Sequence, residues 1–318
     1  MKKLLIIDVS VITGANEELI FSCLKSLFEY GQSDNYSLNI IVTCNNPGSE
    51  LPVKLRNQFP SIKIIENKEK KGFAKNHNQA IRESKADYLL IINDDIIFLK
   101  DSFQKMVSFL ERRENLKIGV LSPRLLNPDG SLQYSTYSFP TVPHALFALS
   151  DFRERIPFSD LTLRMAKFLG KGGGKSRFWA HDKTCQVDTF RGACMLVRGK
   201  AVREVGLMDE VTLAGGEETE WHYRFWQKGW KIVFYPKAEI IHYGSQTVKT
   251  HPSFKNEYLK GYLNFFKKHK PRSIFYIFCL FALLIFFMHF LKGVLIHRAE
   301  TKELSLKAIK ILVWWLKY

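Results

Sequence analysis

Cysteine is scarce and scattered. The five in this 318-residue chain (Cys23, Cys44, Cys185, Cys194, Cys279) form no CxxC pair and stand near no histidine cluster at ligand spacing. That excludes a disulfide framework and a structural zinc site, and it suits a reducing cytosol. Acidic side chains are outnumbered as well: 31 Asp and Glu face 47 Lys and Arg, a formal net charge of +16. Such an excess implies an acidic partner, whether nucleic acid, an anionic membrane or a phosphorylated substrate. No recognised nucleic-acid-binding motif is present, and the basic residues gather beside an apolar stretch, so no nucleic acid is expected. Missing too is a glycine-rich, Lys- or Arg-bearing phosphate loop after the first strand. "VITGANEE" stands there instead, which argues against a nucleotidyltransferase. No internal repeat occurs. The opening "MKKLLIID" is interrupted by Asp8 and followed by no small-residue cleavage site, so it reads as a first strand rather than a signal peptide.

What is present is apolar: 46% hydrophobic residues with 14% aromatics, the composition of a globular or membrane-associated chain with one main domain and an appendage. Leu4 to Ile12 predicts a strand. After Asn16, a candidate N-cap, Ile20, Cys23, Leu24 and Leu27 recur at helical spacing. Asn39 to Val42 and Ile62 to Ile65 predict two more strands, Ala74 to Ser84 a helix entered after Gly72, and Tyr88 to Ile92 the most apolar strand. Asp101 and Gln104 resemble a capping box ahead of a helix with Phe103, Met106, Val107 and Leu110 on one face. Strands alternating with helices predict a mostly parallel α/β sheet, whose ligands bind beyond the carboxyl ends of the strands.

Regularity fades from Tyr137 to Lys183, where aromatics, basic residues, prolines and Gly172-Gly173-Gly174 suggest a mobile segment or lid. Order returns at Val187. Gly215-Gly216 leads into a helix from Glu217 to Lys228, and Lys231 to Phe234 and Glu239 to Ile241 predict two strands around Pro236. The tail, residues 256–318, differs in kind from the domain expected over 1–255. Ile274 to Leu291 is almost wholly apolar, long enough to span or enter a bilayer, and follows the basic stretch Lys267 to Arg272. Over 304–318, Leu306, Ile309, Leu312, Val313 and Leu316 form an apolar stripe beside lysines and Trp314-Trp315, an interfacial helix signature.

Three constellations could carry chemistry. "DYLLIINDDIIF" is a buried strand cut by Asn93, Asp94 and Asp95, and carboxylates beside a core need a positive partner. Mg²⁺ suits one or two carboxylates plus substrate phosphates; the bland alternative is that these residues merely turn the chain. In "GGEETEW", Glu217, Glu218 and Glu220 could simply favour a helix N-terminus, or one could serve as a general base. His242, after an apolar strand, is either structural or a further metal ligand.

Taken together, "ENKEKKGFAKNHNQAI", "LLIINDD", "LSPRLLNPDGSLQ" with "SFPT", "RGACMLVR", "EVGLMDE", "EETEWHYRFWQKGWKIVFYP" and "EIIHYGS" resemble family 2 glycosyltransferases of the GT-A fold, over about Leu4 to Thr247. The likeness is to the branch with rhamnosyltransferases of bacterial surface polysaccharide synthesis. It implies a nucleotide-diphospho-sugar transferase fold with a C-terminal membrane-associated helical tail. It further implies inverting transfer from dTDP-rhamnose or a UDP-sugar to a lipid-linked glycan, commonly polyprenyl-diphosphate-linked, as in O-antigen synthesis. The site would be the cytoplasmic face of the inner membrane. By the same resemblance Asp95 contacts Mg²⁺ or Mn²⁺, His242 completes metal or diphosphate binding, and Asn93 and Asp94 lie by the donor. Glu218, with Glu217 as fallback, is the catalytic base, a Glu where the family usually has Asp. Gly72, Phe73 and Asn78 match the donor-side "GFAxxxN" element, and Gly192 and Ala193 a loop near the sugar. Trp221 and Arg224 fall on the catalytic helix, on the acceptor side. Thr13 to Asn16 replaces the usual "TYN", and Cys44, followed by Asn45, replaces the usual base-contacting Asp; these positions would flank the nucleotide base. A non-catalytic membrane scaffold on a decayed transferase fold is the competing reading.

Overall fold

The structure, a computed structural model, describes residues 4–14, 16–150, 181–244 and 254–317. Strand β1 (Leu5–Thr13) buries Ile7, Val9 and Val11 completely, the period-two pattern of a strand with one face against a helix layer. Helix α1 (Glu17–Tyr30) meets that face with Ile20, Leu24 and Leu27. Its N-cap is Asn16, whose side chain accepts the Leu19 N–H at 3.1 Å. The alternation continues through β2 (Tyr36–Cys44), α2 (Leu51–Gln58), β3 (Lys63–Glu66), α3 (Phe73–Glu83) and β4 (Tyr88–Asn93). β5 (Ile96–Phe98), α4 (Ser102–Leu110), β6 (Ile118–Leu126), β7 (Leu132–Gln133), β8 (Thr136–Tyr137) and α5 (Val142–Leu149) follow. Beyond residue 180 come β9 (Cys185–Gln186), β10 (Thr189–Phe190), β11 (Cys194–Arg198), α6 (Gly199–Val205), α7 (Glu217–Gln227) and β12 (Lys231–His242). Three helices close the chain: α8 (Phe254–His269), α9 (Arg272–Leu295) and α10 (Ala299–Lys317).

The main sheet runs β3-β2-β1-β4-β11-β6-β12-β5, and four of the seven pairings along this path are parallel. β1, β2, β3 and β4 therefore end at one edge, at Thr13, Cys44, Glu66 and Asn93. β4 is buried on both sides: Leu90 and Ile92 join the cluster under α1 and α4, while Leu89 and Ile91 join the one under α3, α6 and α7. That double burial explains its unbroken apolar run. The expected α/β architecture is present, with β11 inserted antiparallel between β4 and β6.

Two local expectations are corrected. The residues on either side of Pro236 form one strand, β12, whose register with β6 shifts between Tyr235 and Glu239. A proline lacks the N–H a ladder needs, so the strand absorbs it as an irregularity instead of ending there. The capping box at α4 does not form. Asp101 sits at φ 61 with no side-chain cap bond, and Gln104 Nε2 donates to the Gln32 carbonyl at 2.8 Å. Most of the segment expected to be irregular, 151–180, lies outside the described residues; its flanks contribute β8 and α5.

A third core cluster joins the terminal helices to the domain. Ala145 and Leu149 of α5, Leu259, Leu263 and Phe266 of α8, Phe278 of α9 and Leu312 of α10 pack together. α8 begins just before the expected domain border and is tied to the loop preceding α7. Glu257 Oε2 accepts the Leu213 N–H at 2.8 Å, Asn264 donates to Asp209 at 3.0 Å, and Lys268 pairs with the same Asp209. α9 is long and apolar enough to cross a membrane.

Candidate active site

The carboxyl ends of β1 and β4 bring the acidic run to the ligand-binding edge. Asp94 Oδ2 accepts the Gly14 N–H at 3.3 Å, which ties the turn after β4 to the loop after β1. Burial pushes the Asp94 carboxyl up to about 6, with the neighbouring Asp95 charge adding and the Gly14 N–H opposing. The Asn93 N–H donates to Ala193 at 3.1 Å, which fastens the start of β11 to the same edge.

Asp95 and His242 come together, as expected. Both are buried, and Asp95 Oδ1 lies 3.3 Å from His242 Nε2, yet neither atom has a hydrogen-bond partner. The hydrogen bonds behind the imidazole explain why. Asn127 donates to Ser131 Oγ at 2.8 Å, so its Oδ1 faces Gln133, whose Nε2 donates to that oxygen at 2.9 Å and to the His242 carbonyl at 3.2 Å. The Gln133 amide is thereby oriented with Oε1 towards His242 Nδ1, 2.6 Å away. Nδ1 must carry the proton, and the Nε2 lone pair then faces a carboxylate oxygen. Two acceptors in that position require a cation or a shared proton. A histidine oriented by an amide oxygen with its other nitrogen aimed beside a carboxylate fits a divalent metal, with further ligands drawn from phosphate oxygens.

The second acidic pair is divided by its surroundings. Two glycines in the left-handed region, Gly215 at φ +112 and Gly216 at φ +95, turn the chain into α7. α8 clamps this turn: a Cβ on Gly261 would stand 2.5 Å from the Gly215 carbonyl oxygen, so only glycine fits there. Glu217 points inward and accepts a hydrogen bond from Thr212 Oγ1 at 3.0 Å. Glu218 is of intermediate exposure and packs by Gly192, on the side where the edge of the Phe73 ring also approaches. Burial raises both carboxyls above the ordinary range, and the Arg191 charge holds Glu218 back. For Glu217 the linkage has a definite sign. A carboxyl whose pKa is raised on folding stabilises the fold below its unfolded value and loses that contribution as pH rises. Glu217→Gln keeps an acceptor for Thr212 but cannot ionise. Its melting temperature relative to the native chain is therefore expected to climb as pH rises above about 4.3, which thermal melts across pH will show.

Several expected site residues have structural partners. Asn45 accepts from the Lys71 N–H and Asn67 and donates to the Lys71 carbonyl, at 2.9 to 3.0 Å, fixing the loop before α3. Gly72 lies under Thr212 and Leu213, and the Phe73 N–H donates to the Leu213 carbonyl at 2.7 Å. Asn78 bonds Met208 and Glu210, latching α3 to the chain ahead of α7. Trp221 is fully buried with Nε1 on the Gly206 carbonyl, and Arg224 is held by Glu220, Val205 and Leu207. Thr13 and Cys44 end adjacent strands, and burial pushes the Cys44 thiol up to about 11. Sequence reasoning missed Gln133 and Arg191. Both lie inside stretches that carried the family likeness, "LNPDGSLQ" and "RGACMLVR". Their roles depend on contacts with residues distant in sequence: Gln133 with His242, and Arg191 with Tyr137 (3.4 Å) and the charge of Glu218.

A mostly parallel sheet with an acidic strand end and a glutamate-led helix beside it defines a GT-A-like α/β fold, and comparison with solved structures agrees. The mannosyltransferase PcManGT from Pyrobaculum calidifontis, in complex with GDP-Man and Mn²⁺, superposes with a TM-score of 0.55 at 14% identity, over 98% of this chain and 76% of that one. GalNAc-T7 with UDP, GalNAc and Mn²⁺ gives 0.53 at 15% identity, covering 76% of this chain and 44% of that longer one. Residues 88–317 match Glycosyl transferase family group 2, and residues 9–165 match Glycosyl transferase family 2. The chain belongs to the family 2 glycosyltransferases. It is similar to the N-acetylglucosaminyl-diphospho-decaprenol L-rhamnosyltransferase of Mycobacterium tuberculosis, 21% identical over 231 residues that make up 68% of this chain and 70% of that protein. An uncharacterized glycosyltransferase of Haemophilus influenzae is 29% identical over 106 residues, 33% of this chain and 35% of that one.

Proposed function

We propose that this chain transfers a sugar, with inversion, from a nucleotide-diphosphate donor to a hydroxyl of a lipid-linked glycan. The observation that carries this reading lies at the β4–β11 end: Glu218 stands by Gly192, next to the Ala193 carbonyl that accepts the Asn93 N–H, and the unpartnered Asp95–His242 pair begins two residues after Asn93. In this reading Glu218 accepts the proton of the acceptor hydroxyl as its oxygen attacks the anomeric carbon opposite the leaving nucleotide. The Arg191 charge opposes the upward pull of burial on the Glu218 carboxyl. Phe73 and Gly192 wall the sugar side, and the turn that the Gly14 N–H and the Asp94 carboxyl tie together lies on the donor side. Asp95 and His242 would hold Mg²⁺ or Mn²⁺, which would supply positive charge against the diphosphate. The two solved structures above contain Mn²⁺ with a nucleotide or nucleotide sugar, which supports this choice of ion.

The donor is dTDP-rhamnose or a UDP-sugar. Likeness to an enzyme named for a diphospho-decaprenol acceptor and rhamnosyl transfer supports rhamnose and a polyprenyl-diphosphate-linked acceptor. The setting is cell-surface polysaccharide or O-antigen synthesis at the cytoplasmic face of the inner membrane, with the terminal helices in contact with lipid. The test is incubation with a panel of nucleotide sugars plus Mg²⁺ or Mn²⁺, with release of nucleotide diphosphate as the readout. One donor should be turned over in the presence of a polyprenyl-linked acceptor; silence across the panel, with metal and acceptor supplied, counts against transfer.

A further inference from the structure

α9 has two faces of equal hydrophobicity and different surroundings. Phe275, Phe278, Cys279, Ala282 and Phe286 are buried against α5, α8 and α10. Tyr276, Leu280, Phe281, Leu284, Phe287 and Met288 are exposed, at 48% to 59% of their surface. At 3.6 residues per turn these exposed positions occupy one continuous strip about 140° wide, running about 18 Å along a helix about 36 Å long. No charged residue interrupts the strip between 276 and 288. A monomer in water does not leave so long an apolar face bare.

The elements on the buried side decide how a bilayer can meet this face. Phe266 of α8 packs at a tilt against Phe278, ring centroids 4.7 Å apart, and α8 is itself pinned to the loop before α7 through Glu257 and Asn264. The amino-terminal half of α9 therefore lies alongside the catalytic domain. The carboxyl-terminal half is flanked by α10, which folds back after residues 296–298 with Lys302 against Gly293. The fold-back sets Lys307 and Lys310 beside the middle of α9; Lys302, Glu303, Lys307 and Lys310 are all exposed. A spanning α9 would carry these charges into hydrocarbon, where each is costly. Hydrocarbon can reach one side of α9 only. Over residues 272–317 the chain carries seven Lys and Arg against two Glu, a balance suited to anionic lipid.

Resting on the proposal that the tail meets a membrane, we infer that α9 lies in the plane of an anionic bilayer and does not cross it. Its Tyr276–Met288 strip sinks among the acyl chains, α10 lies beside it at headgroup level, and the 296–298 connection stays on the side of the catalytic domain. The orientation holds the loop before α7 close to the surface through α8, within reach of a lipid-linked substrate.

The test uses full-length protein in cell membranes, with a membrane-impermeant maleimide and two introduced-cysteine reporters, each read against the labelling of the native chain's own five cysteines: Arg298→Cys in the connection and Glu18→Cys on exposed α1. Both should label in inside-out vesicles and both stay protected in intact cells. Labelling of Arg298→Cys in intact cells while Glu18→Cys is protected overturns the in-plane placement and leaves membrane association standing. The double variant Leu284→Glu, Phe287→Glu, which alters only exposed positions, should move the protein to the soluble fraction with its donor binding intact. Native protein that is already soluble, as a monomer or as a dimer through this face, overturns the lipid surface altogether, whereas donor turnover in the panel above is unaffected by either result.

Discussion

Glu218→Gln is expected to lower turnover by about 10²- to 10⁴-fold, the usual contribution of a positioned general base, while donor affinity stays near the native value. The amide keeps the shape of the side chain against Gly192 and loses only its capacity to take a proton. Glu217→Gln, by contrast, should retain most activity, because Glu217 faces Thr212 and not the open side. The pH profile offers an independent check. The base works ionised, and burial raises its pKa, so kcat/KM of the native chain should fall as pH drops through a value above the ordinary carboxylate range of about 4.3. Neutralising Arg191 removes the charge that holds this pKa down, and the acid limb should then move to higher pH. Near-native turnover by Glu218→Gln in a coupled nucleotide-diphosphate assay would transfer the role to another group.

From the residues alone one of the two glutamates faces a cleft, and the resemblance pointed to Glu218 with Glu217 as fallback; the contacts that divide the pair were beyond the sequence. Their division depends on where α8 presses: Gly261 fits under the Gly215 carbonyl, Glu257 holds Leu213, and Thr212 is thereby brought over Glu217. None of these contacts is local. Elements with a strong period of their own were legible, such as β1, β4, α3 and α7, whose expected limits differ from the observed ones by a residue or so. β11 was not, because Cys194 to Arg198 earns its place only by pairing with β4 and β6, far away in the chain. Asn78, Trp221 and Arg224 were expected on the donor and acceptor sides, and all three have partners that hold the chain between α6 and α7 in place. A motif marks residues that a fold needs for its site, and part of that need is for the frame around the site.

The Asp95–His242 pair leads to the other large expected effect. Asp95→Asn should abolish metal-dependent donor binding, since it replaces one of two facing acceptors with a group that can donate to His242 Nε2. The variant closes that gap with a hydrogen bond and removes the need for a cation. The same reasoning gives the chain a built-in control: the melting temperature without metal should rise or hold in Asp95→Asn, while the metal-induced increase expected of the native chain should vanish. Gln133 enters as a positioning residue, because it touches the imidazole and not the ion. In Gln133→Leu the proton on Nδ1 loses its acceptor and the tautomer is no longer fixed. Loss of such an outer partner typically weakens metal affinity about 10- to 100-fold. Mn²⁺ titrations followed by calorimetry with nucleotide diphosphate present should therefore separate three levels: native, weakened in Gln133→Leu, and absent in Asp95→Asn. A purely structural Gln133 would lower the melting temperature and leave the Mn²⁺ affinity of the folded fraction unchanged, whereas Gln133→Glu, which keeps an oxygen opposite Nδ1, should restore most of the affinity that Gln133→Leu loses.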